Sequence, residues 1–276
     1  MEFIPPRLPA ACRLDEYVAV VTGAAGGIGS AIIEMLASLG ARVACLDLER
    51  AVPELQQRIA SFPTKCIAVA CDVTDDFSVQ AAAAQVKEQL GACNVLVNNA
   101  GILPPHSALQ DVTPDSWERS MAVNLRGPFL CTRAFGVQML ERRQGTIVNI
   151  ASISAQQANA APAYSVSKAA LLALTRHTAV EWGPRGVRTN SVSPGFLQTA
   201  LSAKHYANSD LLQRRIDMVP MRRLGTTTEV ANVVAFLASQ ASSFVNGQDI
   251  VADGGFLGTA LMHAQDPAEQ YGGFRN

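Results

Sequence analysis

At 276 residues, with 49% hydrophobic and 16% charged residues, the chain can bury a large core and is too apolar to be disordered. A formal net charge of −1, with no Lys/Arg run longer than two, excludes the concentrated basic surface that nucleic-acid binding needs. Six cysteines without a C-x-x-C pair speak against a zinc site or a disulfide framework and for a reduced, cytoplasmic setting.

Residues 1–15 carry three prolines and no apolar stretch of signal-peptide length, and read as an extension of a single domain spanning 1–276. A strand is predicted over 17–22 and a helix over 27–39. The uncharged run 17–33 contains four glycines and is too short to cross a bilayer. Strands follow over 42–47 and 65–70, then a helix over 75–90 stopped by Gly91 and a strand over 94–98. A helical region over 114–143 is expected to break near Gly127-Pro128. A strand over 145–151, a helix over 162–182 and a strand over 187–193 come next, then a helix over 227–239 and a short strand over 249–252. Near-continuous apolar strands alternating with helices predict an α/β fold, a right-handed doubly wound parallel sheet of about seven strands with helices on both faces. An eight-stranded barrel is disfavoured by the strand count and by the glycine-rich turn after the first strand. Ligands of an open sheet sit at the carboxyl ends of its strands, where every motif below falls.

The run from Thr22 to Gly29 joins the first strand to a helix. Its glycines let backbone approach a pyrophosphate, and the helix N-terminus offers free N–H groups and partial positive charge. The P-loop pattern fails here, because no Lys follows Ile28. Strict G-x-G-x-x-G fails too; the spacing is G-x-x-x-G-x-G at Gly23, Gly27 and Gly29. Asp47 ends the second strand with Leu48 beside it. Its carboxylate can accept from the ribose hydroxyls and would repel a 2′-phosphate, favouring NAD over NADP. Arg50 tempers that preference, and the plainer role for Asp47 is a strand-end cap. Asp72 and Val73, after the third strand, could flank the adenine.

Tyr164 and Lys168 stand four apart and share one helix face. A phenol of pKa about 10 must become far more acidic to exchange protons near neutrality. A neighbouring ammonium together with a cationic nicotinamide could achieve this, leaving Tyr164 as acid/base on a substrate oxygen. Ser152, twelve residues earlier at a strand end, could bind the same oxygen. Asn124, near the helix interruption, could hold a proton-relay water.

Taken in order, Gly23-x-x-x-Gly27-x-Gly29, Asn98-Asn99-Ala100-Gly101, Asn124, Ser152, Tyr164-x-x-x-Lys168 and Pro194-Gly195 with Thr199 resemble the short-chain dehydrogenase/reductase superfamily over about residues 15–255. The resemblance implies a Rossmann-like sheet and a catalytic tetrad of Asn124, Ser152, Tyr164 and Lys168. It implies a nicotinamide site at Pro194, Gly195 and Thr199, with Asn98, Asn99, Ala100 and Gly101 near the adenosine half. It also implies a homotetramer paired through helices 128–143 and 162–182. Ala151 and Ala155 depart from the common Ser and Gly, and the chain runs 21 residues past Gly255.

The activity expected is NAD-dependent interconversion of a secondary alcohol and a ketone. The alternatives are an NADPH-dependent 3-oxoacyl thioester reductase and a non-catalytic dinucleotide sensor. Ser165-Val166-Ser167-Lys168 matches S-x-x-K, but the S-D-N and K-T-G partners of that chemistry are missing. The four histidines lack metal spacing. Substrate contacts are expected from Ser152, Tyr164, Ser154 and Phe196, from segments 103–109 and 154–161, and from a lid over 196–223. Without a carboxylate-binding arginine cluster, a neutral or largely apolar substrate is favoured. The tail 256–276 is expected to reach across a subunit interface.

Overall fold

The computed structural model describes residues 10–198 and 209–259. Seven parallel strands form the main sheet: β1 (Val18–Thr22), β2 (Arg42–Asp47), β3 (Cys66–Ala70), β4 (Val95–Asn98), β5 (Gly145–Ile150), β6 (Val187–Pro194) and β7 (Asp249–Ala252). Their order is β3-β2-β1-β4-β5-β6-β7. The chain winds outward from β1 to β3, returns to the middle and winds outward again. The direction reverses between β1 and β4, and the crevice at that reversal is where a doubly wound sheet binds its ligand.

β1 is buried along its whole length, because successive side chains enter different cores. Ala19 and Val21 join Ile32, Ile33 and Leu36 of α1 (Gly27–Ser38) and Val230, Val234 and Leu237 of a helix over Thr227–Ala238. Val18 and Val20 join Val79 and Val86 of α3 (Asp76–Gln89) and Phe135 and Met139 of a helix over Gly127–Arg142. This two-sided burial explains why the strands read as continuous apolar runs instead of alternating ones.

The helical region over 114–143 differs from expectation in kind. α4 (Pro114–Met121) leads into a π-helical stretch, Ala122–Arg126, and then into α5 (Gly127–Arg142). The interruption is therefore a widened turn centred on Asn124, and Pro128 lies in the first turn of α5, where its missing N–H costs nothing. Gly127 is needed because a Cβ there would come within 2.9 Å of the Val73 side chain. α6 (Pro162–Trp182) packs beside α4 and β6.

Three elements have no range of their own in the sequence reading. α2 (Val52–Ile59) is only eight residues long, and Pro53 obscures its Val52/Leu55/Ile59 face. α7 (Ser209–Met218) lies within the segment expected as a lid. Leu197–Gln198 pairs with Gly225–Thr226 in a two-residue parallel ladder. α8 (Thr227–Ala238) follows it, opened by a capping box in which Thr226 and Glu229 satisfy each other's backbone N–H groups.

Candidate active site

A cleft of about 830 Å³ runs over the carboxyl ends of β1, β2 and β4. Its floor is the glycine turn. Gly23 has φ +64°, and a Cβ on Gly29 would collide with the Gly23 carbonyl and stand 2.8 Å from Asn99 Nδ2. Only glycine fits both places. Helix α1 starts at Gly27 without a side-chain cap, so its first N–H groups lie open at the cleft.

The turn is stapled to β4 from both sides. Thr22 Oγ1 accepts from the N–H groups of Asn99 (3.1 Å) and Ala100 (3.0 Å). Asn99 Nδ2 donates back to the carbonyls of Thr22 and Gly23, both at 2.9 Å. Asp47 serves the turn as well: its carboxylate accepts from Ala25 N (2.9 Å) and Leu48 N (2.8 Å) while still lining the cleft. The capping role and the ligand role are thus available in one side chain, since each oxygen keeps a lone pair. Leu48, Arg50, Asp72, Ala100 and Gly101 line the same cleft. Asp72 Oδ1 accepts from Thr74 N and Oγ1, whereas Val73 is buried against Gly127. Asn98 points into the core, donating to Asn149 Oδ1 (2.8 Å) and Thr132 Oγ1 (3.3 Å). A close backbone, open helix N–H groups and a carboxylate one strand away fit the pyrophosphate and ribose of a dinucleotide.

The second part of the site adjoins the first at Gly101. A Cβ there would lie 3.3 Å from Asn124 Oδ1 and 3.4 Å from Lys168 Nζ. Lys168 is 3% exposed; its ammonium donates to the Ile150 carbonyl at 2.7 Å and sits 5.7 Å from the Tyr164 ring centre. Burial pushes its pKa down to about 8. The half-buried Tyr164 hydroxyl faces Ser152, whose hydroxyl favours the ionised phenol. The phenol is nonetheless pushed upward, because burial outweighs the help from Ser152. Acidifying this phenol is therefore left to the ammonium acting together with a cationic nicotinamide, as the sequence reading expects. Burial shifts both groups toward their neutral forms, though an ammonium with a value near 8 keeps its charge at pH 7.

Asn124 is held on both sides of its amide, with one lone pair of Oδ1 left over. Its Oδ1 accepts from Ile102 N (2.8 Å), and its Nδ2 donates to Ile102 O (3.0 Å) and Ser167 Oγ (3.1 Å). Ser152 Oγ accepts from Ser154 N at 3.1 Å. Ser154 Oγ is itself taken by Asn159 Nδ2, at 2.9 Å. Asn159 was not singled out from the sequence, although an Asn shortly before a helix-opening Pro is a turn signal. The Phe196 ring stands against Phe256 (centroids 4.9 Å apart) and under the Arg215 guanidinium (5.0 Å). Pro194 ends β6 in register with Ala252, and Gly195 lets the chain pass close to Asp253. Thr199, residues 199–208 of the expected lid, and the tail from 260 onward lie outside the described residues. Among the described residues no His/Cys/Asp/Glu cluster could hold a metal ion, and no helix is long and apolar enough to cross a membrane.

A family model described as enoyl-(acyl carrier protein) reductase matches residues 23–257. Galactitol 2-dehydrogenase (L-tagatose-forming) of Cereibacter sphaeroides is 41% identical over 253 residues, 88% of this chain and 96% of that protein. Among solved structures, NAD+-bound xylitol dehydrogenase superposes with a TM-score of 0.84 at 31% identity, covering 87% of this chain and 99% of the other. A gluconate 5-dehydrogenase from Burkholderia cenocepacia J2315, in complex with NADP and tartrate, has a TM-score of 0.84 at 32% identity, covering 90% and 98%. With its glycine turn, parallel sheet and Tyr164/Lys168 helix face in place, this chain belongs to the short-chain dehydrogenase/reductase superfamily and is an oxidoreductase acting on CH–OH groups.

Proposed function

We propose that the chain interconverts a secondary hydroxyl of a small polyhydric alcohol and the corresponding ketone, with NAD as hydride carrier. The observation that carries this reading is the junction at Gly101, where the nucleotide cleft meets Lys168, Asn124 and the Ser152–Tyr164 pair. A sensor that only bound dinucleotide would not need those four side chains assembled there.

Thr22, Gly23, Gly27, Ile28, Gly29, Asn99, Ala100 and Gly101 would cradle the dinucleotide, with Asp47 and Leu48 at its ribose and Asp72 and Val73 beside its adenine. Pro194, Gly195 and Thr199 would flank the nicotinamide end. When bound, the nicotinamide nucleotide takes up or gives the hydride and, oxidised, places a positive charge near the phenol. Tyr164 moves the proton to and from the substrate oxygen, and Ser152 holds that oxygen. Lys168 gives the corner its positive charge. Asn124 clamps Ile102 to α6, which keeps Lys168 beside the cleft.

Asp47 supports NAD over NADP, because a carboxylate at the ribose repels a 2′-phosphate. The exposed Gln156 and Gln157, between Ser152 and Tyr164, support a hydroxyl-rich substrate, within the neutral class favoured by the sequence. The galactitol and xylitol dehydrogenases among its relatives point the same way. Phe196, turned toward Phe256, is assigned to the outer wall of the pocket. Exposed Phe129 and Val137 on α5, with Val166 and Val180 on α6, support a homotetramer paired through these helices. All six cysteines are free thiols, which supports a cytoplasmic setting.

The test is steady-state oxidation of a panel of tetritols, pentitols, hexitols and simple secondary alcohols with NAD+ and NADP+, and reduction of a 3-oxoacyl thioester with NADPH. Turnover of a polyol with NAD+ favoured is expected. Preference for the thioester and NADPH would transfer the assignment to that reductase class, and nucleotide binding with no turnover anywhere would favour the sensor.

A further inference from the structure

The stretch 153–161 separates Ser152 from the helix carrying Tyr164, and much of it is exposed. A surface connection of this kind is ordinarily mobile. Here it is tied on three sides. Gln156 Nε2 donates to Asp249 Oδ2 at 2.9 Å, on a carboxylate that also accepts from Ser191 and Ser193. Ser107 N, in the loop after β4, donates to the Ala160 carbonyl at 2.9 Å. The innermost tie is Asn159, whose Oδ1 accepts from Ala161 N (2.9 Å) and Ser165 Oγ (2.8 Å) while its Nδ2 reaches Ser154 Oγ (2.9 Å).

α6 lacks a side-chain cap at Ala161. Asn159 stands in for one, binding both the residue before the helix and a hydroxyl in its first turn. Through Ser154, whose own N–H is given to Ser152 Oγ, the same amide connects to the other end of the loop.

We propose that Asn159 is a positioning residue for the reaction: its amide links Ser152, through Ser154, to the first turn of α6, so that the Ser152 and Tyr164 hydroxyls meet on one substrate oxygen. The inference rests on the reading of Ser152 and Tyr164 given above. Asn159 itself is exposed, so its bonds compete with water and contribute little to stability. A merely structural role would therefore leave turnover nearly unchanged. A role in alignment would not, since displacements near 1 Å can cost about a hundredfold in rate.

The experiment uses the full chain with galactitol or xylitol and NAD+. Asn159→Ala is expected to lower kcat roughly ten- to a hundredfold. KM for the polyol and Kd for NAD+ should stay within about twofold, because ground-state binding is not what the link serves. Asn159→Asp keeps both acceptor bonds and can accept from the Ser154 hydroxyl, so most of kcat should return. Ser154→Ala cuts the link from the other side, and combined with Asn159→Ala it should add little further loss. It also carries the test if Asn159→Ala does not fold.

Wild-type kcat in Asn159→Ala, a loss confined to KM, or additive losses in the double variant would overturn the proposal. Tyr164→Phe in the same assay separates the two levels. If it loses turnover while Asn159→Ala does not, the active-site reading stands and the positioning role falls. If Tyr164→Phe stays active, both fall.

Discussion

Replacing Lys168 by Met should make the protein more stable and less active. The ammonium is buried, and its pKa falls from the ordinary lysine value of 10.5 to about 8. That difference corresponds to about 3 kcal/mol against the charged form in the fold. Removing the side-chain cation also removes its bond to the Ile150 carbonyl, a loss of about 1–3 kcal/mol. Methionine fills nearly the same volume. The net gain at pH 7 should be about 1–2 kcal/mol, raising Tm by roughly 2–6 °C in a chain of this size. The sign depends on pH. The folded-state value is depressed, so the penalty is present in full below about 8 and disappears as pH rises toward 10.5. By pH 9.5 about 2 kcal/mol of the advantage of Met should be gone. Differential scanning calorimetry of both proteins without added nucleotide, at pH 7 and pH 9.5, reads this directly. Turnover with NAD+ should fall by about a hundredfold or more. A Met variant less stable at pH 7, or a stability difference that does not change with pH, would refute the reasoning.

Three further outcomes are expected. Tyr164→Phe should reduce turnover by about 10²–10⁴ while isothermal titration shows NAD+ still binding, since the phenol acts on the substrate oxygen and not on the nucleotide. Gly29→Ala should abolish nucleotide binding and cost about 1–3 kcal/mol by chemical denaturation, because the new methyl meets the Gly23 carbonyl and the Asn99 amide. Asp47→Ser should raise kcat/KM for NADP+ relative to NAD+ by removing a like charge from the 2′-phosphate position; an unchanged ratio would take Asp47 out of cofactor selection.

The seven main strands were readable to within a residue or so at each end, because two-sided burial writes an apolar run at each one and Gly or Pro marks many of the boundaries. The glycine turn was equally plain, since close backbone approach leaves glycine as the only fit at Gly23 and Gly29. α2 was missed because eight residues with Pro53 second among them carry too little periodicity. The wide turn at Asn124 was anticipated as an interruption but not as a π-helical one, for hydrogen-bond register leaves no residue signature. Thr22 and Asn99 were placed at the nucleotide, yet their mutual bonding is long-range and invisible in a linear reading. The electrostatics of the corner were only partly legible. Spacing put ammonium and phenol together, but how dry the corner is depends on packing, and dryness decided the direction in which both titrate. Asn159 went unremarked because its partners span a loop whose shape was not deducible.

The stapling of the glycine turn to β4 has a consequence for assembly of the molecule. Thr22 and Asn99 lie 77 positions apart, and the cleft has no floor until the segments carrying them have docked. Neither the segment carrying β1 and the glycine turn nor the segment carrying β4 can host the nucleotide alone. Whatever occupies that seam binds the two segments to each other as well, so saturating nucleotide should act as a rivet, adding about 2.7 kcal/mol of cohesion at a hundred times its dissociation constant.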